Sequence, residues 1–282
     1  MGMPMVRRLL QNDYSVMVYN RSNGPVEILS REGALPAKAL RELGAGSDVV
    51  VLSLPDAAAV NEVLFGPDGT IGSMREGSVV IDTSTIGPME AKLLAERAQK
   101  NGVHMLDAPV SGGPERASNG TLSIMVGGEK RIYDESLGIL NVLGQKVFYM
   151  GSHGSGQSTK LVNQLLVGVH VSVTSEALLF AASQGLDLNS VIDVIQASAG
   201  DSSIFQRTAP QMISGSYKTG FQTYLIHKDL GLVLEAGSRS NIPLLLTSLA
   251  RELMTANLRL GNHRVNAASV KIVMERLTNI KI

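Results

Sequence analysis

The sequence predicts an α/β protein: a parallel sheet covered by helices, then a long connecting helix, then an all-α domain. Three observations carry this prediction. The first half alternates short Val/Ile/Leu runs with helical segments. From residue 158 to about 185, apolar and small residues run on without proline or a strong turn signal, as in a helix of many turns. Beyond it, SVIDVIQASA, KDLGLVLEAGSRS, PLLLTSLARELMTANLRL and AASVKIVMERL read as helices, and no segment reads as a strand. The Gly-rich turn at 151–156 is the expected hinge, which divides the chain into domains at 1–152 and 153–282.

In chain order, MGMPMVRRLL spaces Met1, Met5, Leu9 and Leu10 as on an amphipathic helix, with Arg7 and Arg8 turned the other way. YSVMVYNRS follows as a short strand that stops at Asn20, Arg21 and Ser22. A helix that feeds a strand implies an earlier strand, so the expectation is a sheet whose first strand is missing from this sequence. DVVVLSLP (48–55), SVVIDTST (78–85), VHMLDAPVS (103–111) and LSIMVGG (122–128) are near-continuous apolar runs, the pattern of buried parallel strands. In an open α/β sheet the ligand lies beyond the carboxyl ends of the strands. The residues closing each run are therefore candidates: Asn20 to Ser22, Ser53 to Pro55, Asp82 to Thr85, and Asp107 to Gly113.

Composition narrows the partners. The 282 residues carry 25 Lys+Arg and 25 Asp+Glu, so the chain offers neither a basic surface for nucleic acid nor polybasic attraction to a membrane. Hydrophobic residues make up 44% of the chain, enough for a core in each of two domains. With no cysteine there is no disulfide, thiolate metal site or cysteine nucleophile. The apolar runs are interrupted by polar residues and are expected to fall short of a membrane span. The five histidines lack metal-ligand spacing, so no metal is expected. These features leave a small-molecule ligand or a second copy of the chain, and a cytoplasmic location by default.

Four stretches carry chemistry. A dinucleotide fingerprint needs a strand, a glycine turn and a last glycine where helix packs on strand, and Gly2 fits only that last place. Asn20-Arg21 stands where an acid would accept the ribose hydroxyls of NAD. A guanidinium there suits a 2′-phosphate, which favours NADP, although a turn residue and a solvated arginine give the same dipeptide. In DAPVSGG, Pro109 denies an amide donor, and Gly112 and Gly113 after Ser111 leave backbone N–H groups free to meet an anion; an ordinary strand-to-loop turn is as good a reading from composition.

GSGQSTKLVNQLL places Lys160 early in the long helix and Gln164 one turn later on the same face, which is expected to look into an inter-domain cleft. Desolvation lowers the pKa of a lysine, and a neutral amine takes a proton from an alcohol. A lysine snorkelling to solvent is the plainer alternative. Asn163 lies on a neighbouring face. In HKDLGLVLEAG, Lys228 and Asp229 are expected at a helix start, with Asp229 as cap or first-turn acid.

Taken in order, these segments resemble the 3-hydroxyisobutyrate dehydrogenase family of β-hydroxyacid dehydrogenases. MGMPM is similar to the tail of the family's GLGxMGxxM cofactor loop, DAPVSGG to its substrate loop, GSGQSTK to its G-x-G-x-x-x-K segment and KDLGLV to its KDL segment. The resemblance implies a Rossmann-type domain, a connecting helix and an all-α domain, and oxidation of a small hydroxy acid with NADP or NAD. It implies Lys160 as catalytic acid/base, with Ser111, Gly112 and Gly113 holding the substrate carboxylate. It further implies Gly2, Met3, Leu54, Pro55 and Ser84 or Thr85 along the cofactor, beside Asn20, Arg21 and Ser22, and Lys228 near the nicotinamide or substrate. A homodimer or homotetramer is expected from the apolar connecting helix.

Two departures from the family pattern matter. Gln164 replaces the usual substrate-contacting Asn. Together with NQLLVGVHV, AGDSSIF and SVKIVME, it brings the chain nearest in pattern to the L-threonate dehydrogenase branch, with Ser202, Ser203 and Phe205 as further pocket candidates. The first strand and first two glycines are absent, which leaves the pyrophosphate site without its turn. Three alternatives stay open: a cofactor-deficient dimerisation module, a glyoxylate or tartronate semialdehyde reductase, and an imine reductase. The presence of Lys160 speaks against the last.

Overall fold

A computed structural model describes residues 1–218 and 220–282. The chain divides into two compact units, Met1–Lys160 and Leu161–Ile282. In the first unit, β1 (Met17–Val18) pairs in parallel with β2 (Leu35–Pro36) as a separate two-stranded sheet. β3 (Val49–Leu52), β4 (Val79–Asp82) and β5 (His104–Asp107) run parallel in a six-stranded sheet, with Leu52, Asp82 and Asp107 in register. The carboxyl ends of these three strands are thus level.

The expectation of parallel strands throughout needs correction. After β6 (Val110–Ser111), β7 (Leu122–Gly127) runs antiparallel to both β5 and β6. Its pairings, 107 with 127, 110 with 124 and 111 with 123, form one register, so β5 and β6 lie along the same side of β7 with a break at Ala108-Pro109. A parallel return needs a crossover of about a dozen residues or more, whereas here only a six-residue helix, Gly113–Ser118, turns the chain back. β8 (Gly144–Gly151) then pairs in parallel with β7. The sequence did not announce β2 or β8, because β2 has two residues, one a proline, and β8 is an edge strand with most side chains exposed.

Side chains of β3, β4 and β5 alternate between two cores, as the pleat requires. Val50, Leu52, Val80 and Met105 pack on one face with residues of helices Ala57–Phe65 and Pro88–Gln99. Ile81 and Leu106 pack on the other with residues of helices Gly2–Leu10 and Lys130–Leu143. Met5 and Leu9 bury the apolar stripe of helix Gly2–Leu10 there, while Arg7 on the opposite side pairs with Glu32 at 2.7 Å.

Helix Ser155–Ser183 starts in the first unit and continues through the second. It is long and apolar enough to span a membrane by length and composition, contrary to the sequence-based expectation. Its interrupting residues are mostly uncharged, with Lys160 and Glu176 the only ionisable ones apart from His170. A core helix of a packed domain meets the same criterion, and Val171 and Leu178 are part of the second unit's core. That core also takes Ile192, Phe205, Met212, Ile226, Leu230 and Met254 from helices Leu188–Gln196, Ser203–Ser214, Thr223–Arg239 and Leu245–Arg259. Helix Ser203–Ser214 was not anticipated as an element, since Pro210 lies inside it. Ser202 caps it by accepting from the Phe205 N–H at 3.0 Å, and Phe205 is part of the second unit's core.

Candidate active site

In the first unit the site grows from the level ends of β3, β4 and β5. The chain leaving β3 turns through Leu54, whose N–H donates to Ser84 Oγ at 2.9 Å, while the Ser84 N–H donates to Asp82 Oδ1 at 2.9 Å. Thr83 Oγ1 donates back to the Leu52 carbonyl at 2.5 Å. Leu54 and Ser84, both candidates from the sequence, are therefore brought together. Leu54 is half-buried, Pro55 exposed, Ser84 buried and Thr85 half-buried.

Asn20, Arg21 and Ser22 lie exposed just past β1. The Asn20 side-chain amide donates to Ser22 Oγ at 2.8 Å and to the Ser22 carbonyl at 3.1 Å, which folds this loop on itself. Gly2 opens helix Gly2–Leu10, and a Cβ there would meet only Ser53 Cβ at 3.9 Å. Met3 is partly buried against the Val18, Leu29 and Ala34 cluster, so its side chain serves packing. Ser111 closes β6; Gly112 (φ 139°) and Gly113 (φ 74°) follow in left-handed backbone. A Cβ on Gly112 would also run into the Arg116 side chain.

The start of helix Ser155–Ser183 is fastened to β5. Asp107 accepts from the Gly154 N–H at 2.8 Å and the Gln157 N–H at 2.9 Å, capping the helix from about fifty residues away. Glycine is required for this approach: a Cβ on Gly127 would lie 2.7 Å from Asp107 Oδ1, and one on Gly156 2.6 Å from the Asp107 carbonyl. Gln157 is fully buried; its amide donates to the Ser84 carbonyl at 2.8 Å and accepts from the Ile86 N–H at 3.2 Å. Three residues further on is Lys160, buried at 7% exposure. Sequence reasoning missed Gln157, and noted Asp107 only as a strand end, because nothing in the local pattern says which distant groups they meet.

In the second unit, Gln164 and Asp229 are both buried, and Gln164 Nε2 donates to Asp229 Oδ2 at 2.6 Å. Gln164 Oε1 accepts from Asn163 Nδ2 at 2.9 Å, and Lys228 Nζ lies 3.1 Å from Asp229 Oδ1. Asn163, Gln164, Lys228 and Asp229 thus form one polar cluster. Asp229 is not the cap or first-turn acid expected: the helix begins at Thr223 after Gln222, placing Asp229 in its second turn. Among the described residues no group of three His, Asp or Glu side chains is placed to hold a metal ion.

Accessible backbone past β1 and β3 and an exposed arginine past β1 fit the part of a dinucleotide that lies across these strand ends. This arrangement defines a dinucleotide-binding α/β enzyme. Residues 1–151 match the family described as "NAD binding domain of 6-phosphogluconate dehydrogenase", and residues 154–273 that described as "NAD-binding of NADP-dependent 3-hydroxyisobutyrate dehydrogenase". The 2-(hydroxymethyl)glutarate dehydrogenase of Eubacterium barkeri is 33% identical over 283 residues, covering 100% of this chain and 94% of the relative. The L-threonate dehydrogenase of Cupriavidus necator is 34% identical over 254 residues, covering 90% of this chain and 86% of the relative. A crystal structure of 3-hydroxyisobutyrate dehydrogenase from Salmonella typhimurium superposes with a TM-score of 0.88 at 30% identity, covering 96% of this chain and 95% of that one. The chain belongs to the 3-hydroxyisobutyrate dehydrogenase family of NAD(P)-dependent β-hydroxyacid dehydrogenases.

Asp107 gives this site a pH dependence. Burial pushes its carboxyl up from the ordinary 3.8, against the Gly154 and Gln157 amides and the His153 charge, which pull it down. The folded state therefore binds the proton more tightly than the unfolded chain. Stability contributed at Asp107 is fully present below the ordinary value and is lost as pH rises through the raised folded-state value. Urea denaturation from about pH 4 to about pH 7 should show wild-type stability falling relative to Asp107→Asn as pH rises; two parallel pH curves would contradict this assignment.

Proposed function

We propose that this chain oxidises a small hydroxy acid, or reduces the matching carbonyl, with Lys160 as the acid/base. The observation that carries the reading is the placement of Lys160: a buried lysine two turns into a helix whose start is tied to the ends of β4 and β5. When bound, NAD(P) supplies the hydride acceptor or donor. Neutral Lys160 takes the proton of the substrate hydroxyl during oxidation and returns it during reduction. Ser111 with the Gly112 and Gly113 amides holds the substrate carboxylate, and Leu54, Pro55, Ser84 and Thr85 lie along the cofactor. Gln164 and Asn163 shape the substrate side, and Lys228, paired with Asp229, stands beside the substrate or nicotinamide.

A panel of 3-hydroxyisobutyrate, L-threonate, 2-(hydroxymethyl)glutarate and tartronate semialdehyde tests the reading. At least one should be turned over, and Lys160→Ala should lower kcat by about 10²-fold or more, the scale of general acid–base catalysis. A Lys160→Ala enzyme as active as wild type would refute the mechanism.

Arg21 favours NADP, because a guanidinium pairs with a 2′-phosphate that an acidic side chain would repel. Arg21→Asp should therefore raise KM for NADP about tenfold or more while sparing NAD, read from initial rates with each cofactor.

A homodimer or homotetramer in the cytoplasm completes the reading. Leu245, Leu246 and Leu249 are 76%, 69% and 57% exposed, close together at the start of one helix, and a second copy of the chain would cover them. Protein from the soluble fraction should show at least twice the 29.9 kDa chain mass by light scattering, and serine at these three positions should lower it.

A further inference from the structure

We propose that Gln157 is a positioning residue: with the Asp107 carboxylate, its side-chain amide couples the loops after β3 and β4 to the helical turn that carries Lys160. The proposal rests on the assignment of Lys160 above.

Ser84 and Ile86 lie in the loop after β4, outside any strand ladder. Gln157 supplies partners for both: it donates to the Ser84 carbonyl and accepts from the Ile86 N–H. An amide is the side chain suited to this pair of partners. A glutamate would set a carboxylate oxygen against the Ser84 carbonyl, and a methionine would leave both backbone groups buried and unpaired.

The bonds form one continuous chain. Leu54 N–H donates to Ser84 Oγ, the Ser84 carbonyl accepts from Gln157 Nε2, and Gln157 N–H donates to Asp107. Asp107 also takes Gly154, so the first turn of the helix is held at its backbone by β5 and at a side chain by the β4 loop. Lys160 follows Gln157 by three residues, about 4.5 Å along a rigid helix, and moves with it. Displacement of the post-β4 loop is therefore carried to Lys160, and positional errors near 1 Å cost on the order of 10²-fold in rate. Buried, fully paired networks resist such displacement.

The test uses the full chain as wild type, Gln157→Met, Gln157→Glu, Lys160→Ala and the Gln157→Met/Lys160→Ala double variant. Amide hydrogen exchange, measured without cofactor, should accelerate about tenfold or more in Gln157→Met at both 84–87 and 154–161, with β3 and β4 unchanged. kcat should fall about tenfold or more with the hydroxy-acid KM within about threefold, and the loss should vanish in the Lys160→Ala background. Gln157→Glu should show the same pattern and replaces Gln157→Met if that variant does not fold. Exchange that accelerates in one segment only, wild-type kcat, or an equal loss in both backgrounds would overturn the coupling. A fully active Lys160→Ala enzyme would instead sink the catalytic assignment, while the exchange result still decides whether Gln157 joins the two segments.

Discussion

A carboxylate buried at the end of β5 has two amide donors, and both belong to the start of one helix. Asp107 supplies to Gly154 and Gln157 what a neighbouring cap residue would ordinarily supply, and its negative charge sits at the positive end of the helix. Burial works against it and pushes its carboxyl pKa up. The contact is possible because Gly127 and Gly156 have no side chain at the point where helix and strand meet. The position of Lys160 follows from this contact, since a helix anchored at its first turn also holds the turn that comes next.

The sheet supplies the other half of the constraint. Leu52, Asp82 and Asp107 are in register, so the loops beyond them leave the sheet at one level, and short side chains there bond across from strand to strand. Ser84 meets Leu54 on one side and Gln157 on the other. A loop that would otherwise lack hydrogen-bond partners is held by its neighbours, as a site must be held before it can align reacting groups. The second unit has its own polar centre, in which Gln164 bridges Asn163 and Asp229 while Lys228 pairs with the same carboxylate. Both ends of the Gln164 amide are occupied, which makes it a brace of that cluster.

Much of this was legible in the sequence for reasons of periodicity and residue chemistry. The apolar runs that became β3, β4, β5 and β7, the long helix and the helical second half follow from patterns of two and 3.6 residues, and Gly112 and Gly113 do adopt left-handed backbone. The segments that escaped have weak local signals. β2 is two residues long, β8 is exposed along most of its length, and helix Ser203–Ser214 contains a proline. The direction of β7 escaped as well, because an apolar run is silent about which way its neighbour points.

The sequence alone determined the family resemblance, the order of the motifs and the residue types available for chemistry, since these depend on identity and spacing along the chain. Tertiary structure decided the partners: that Asp107 caps a helix, that Gln157 joins that helix to the β4 loop, and that Asp229 holds Gln164 and Lys228 rather than a helix end. Those contacts link residues 47 to 73 positions apart, save for the sequence-adjacent Lys228–Asp229 pair. A buried polar group takes whichever partner packing brings near, and packing is a property of the folded chain as a whole.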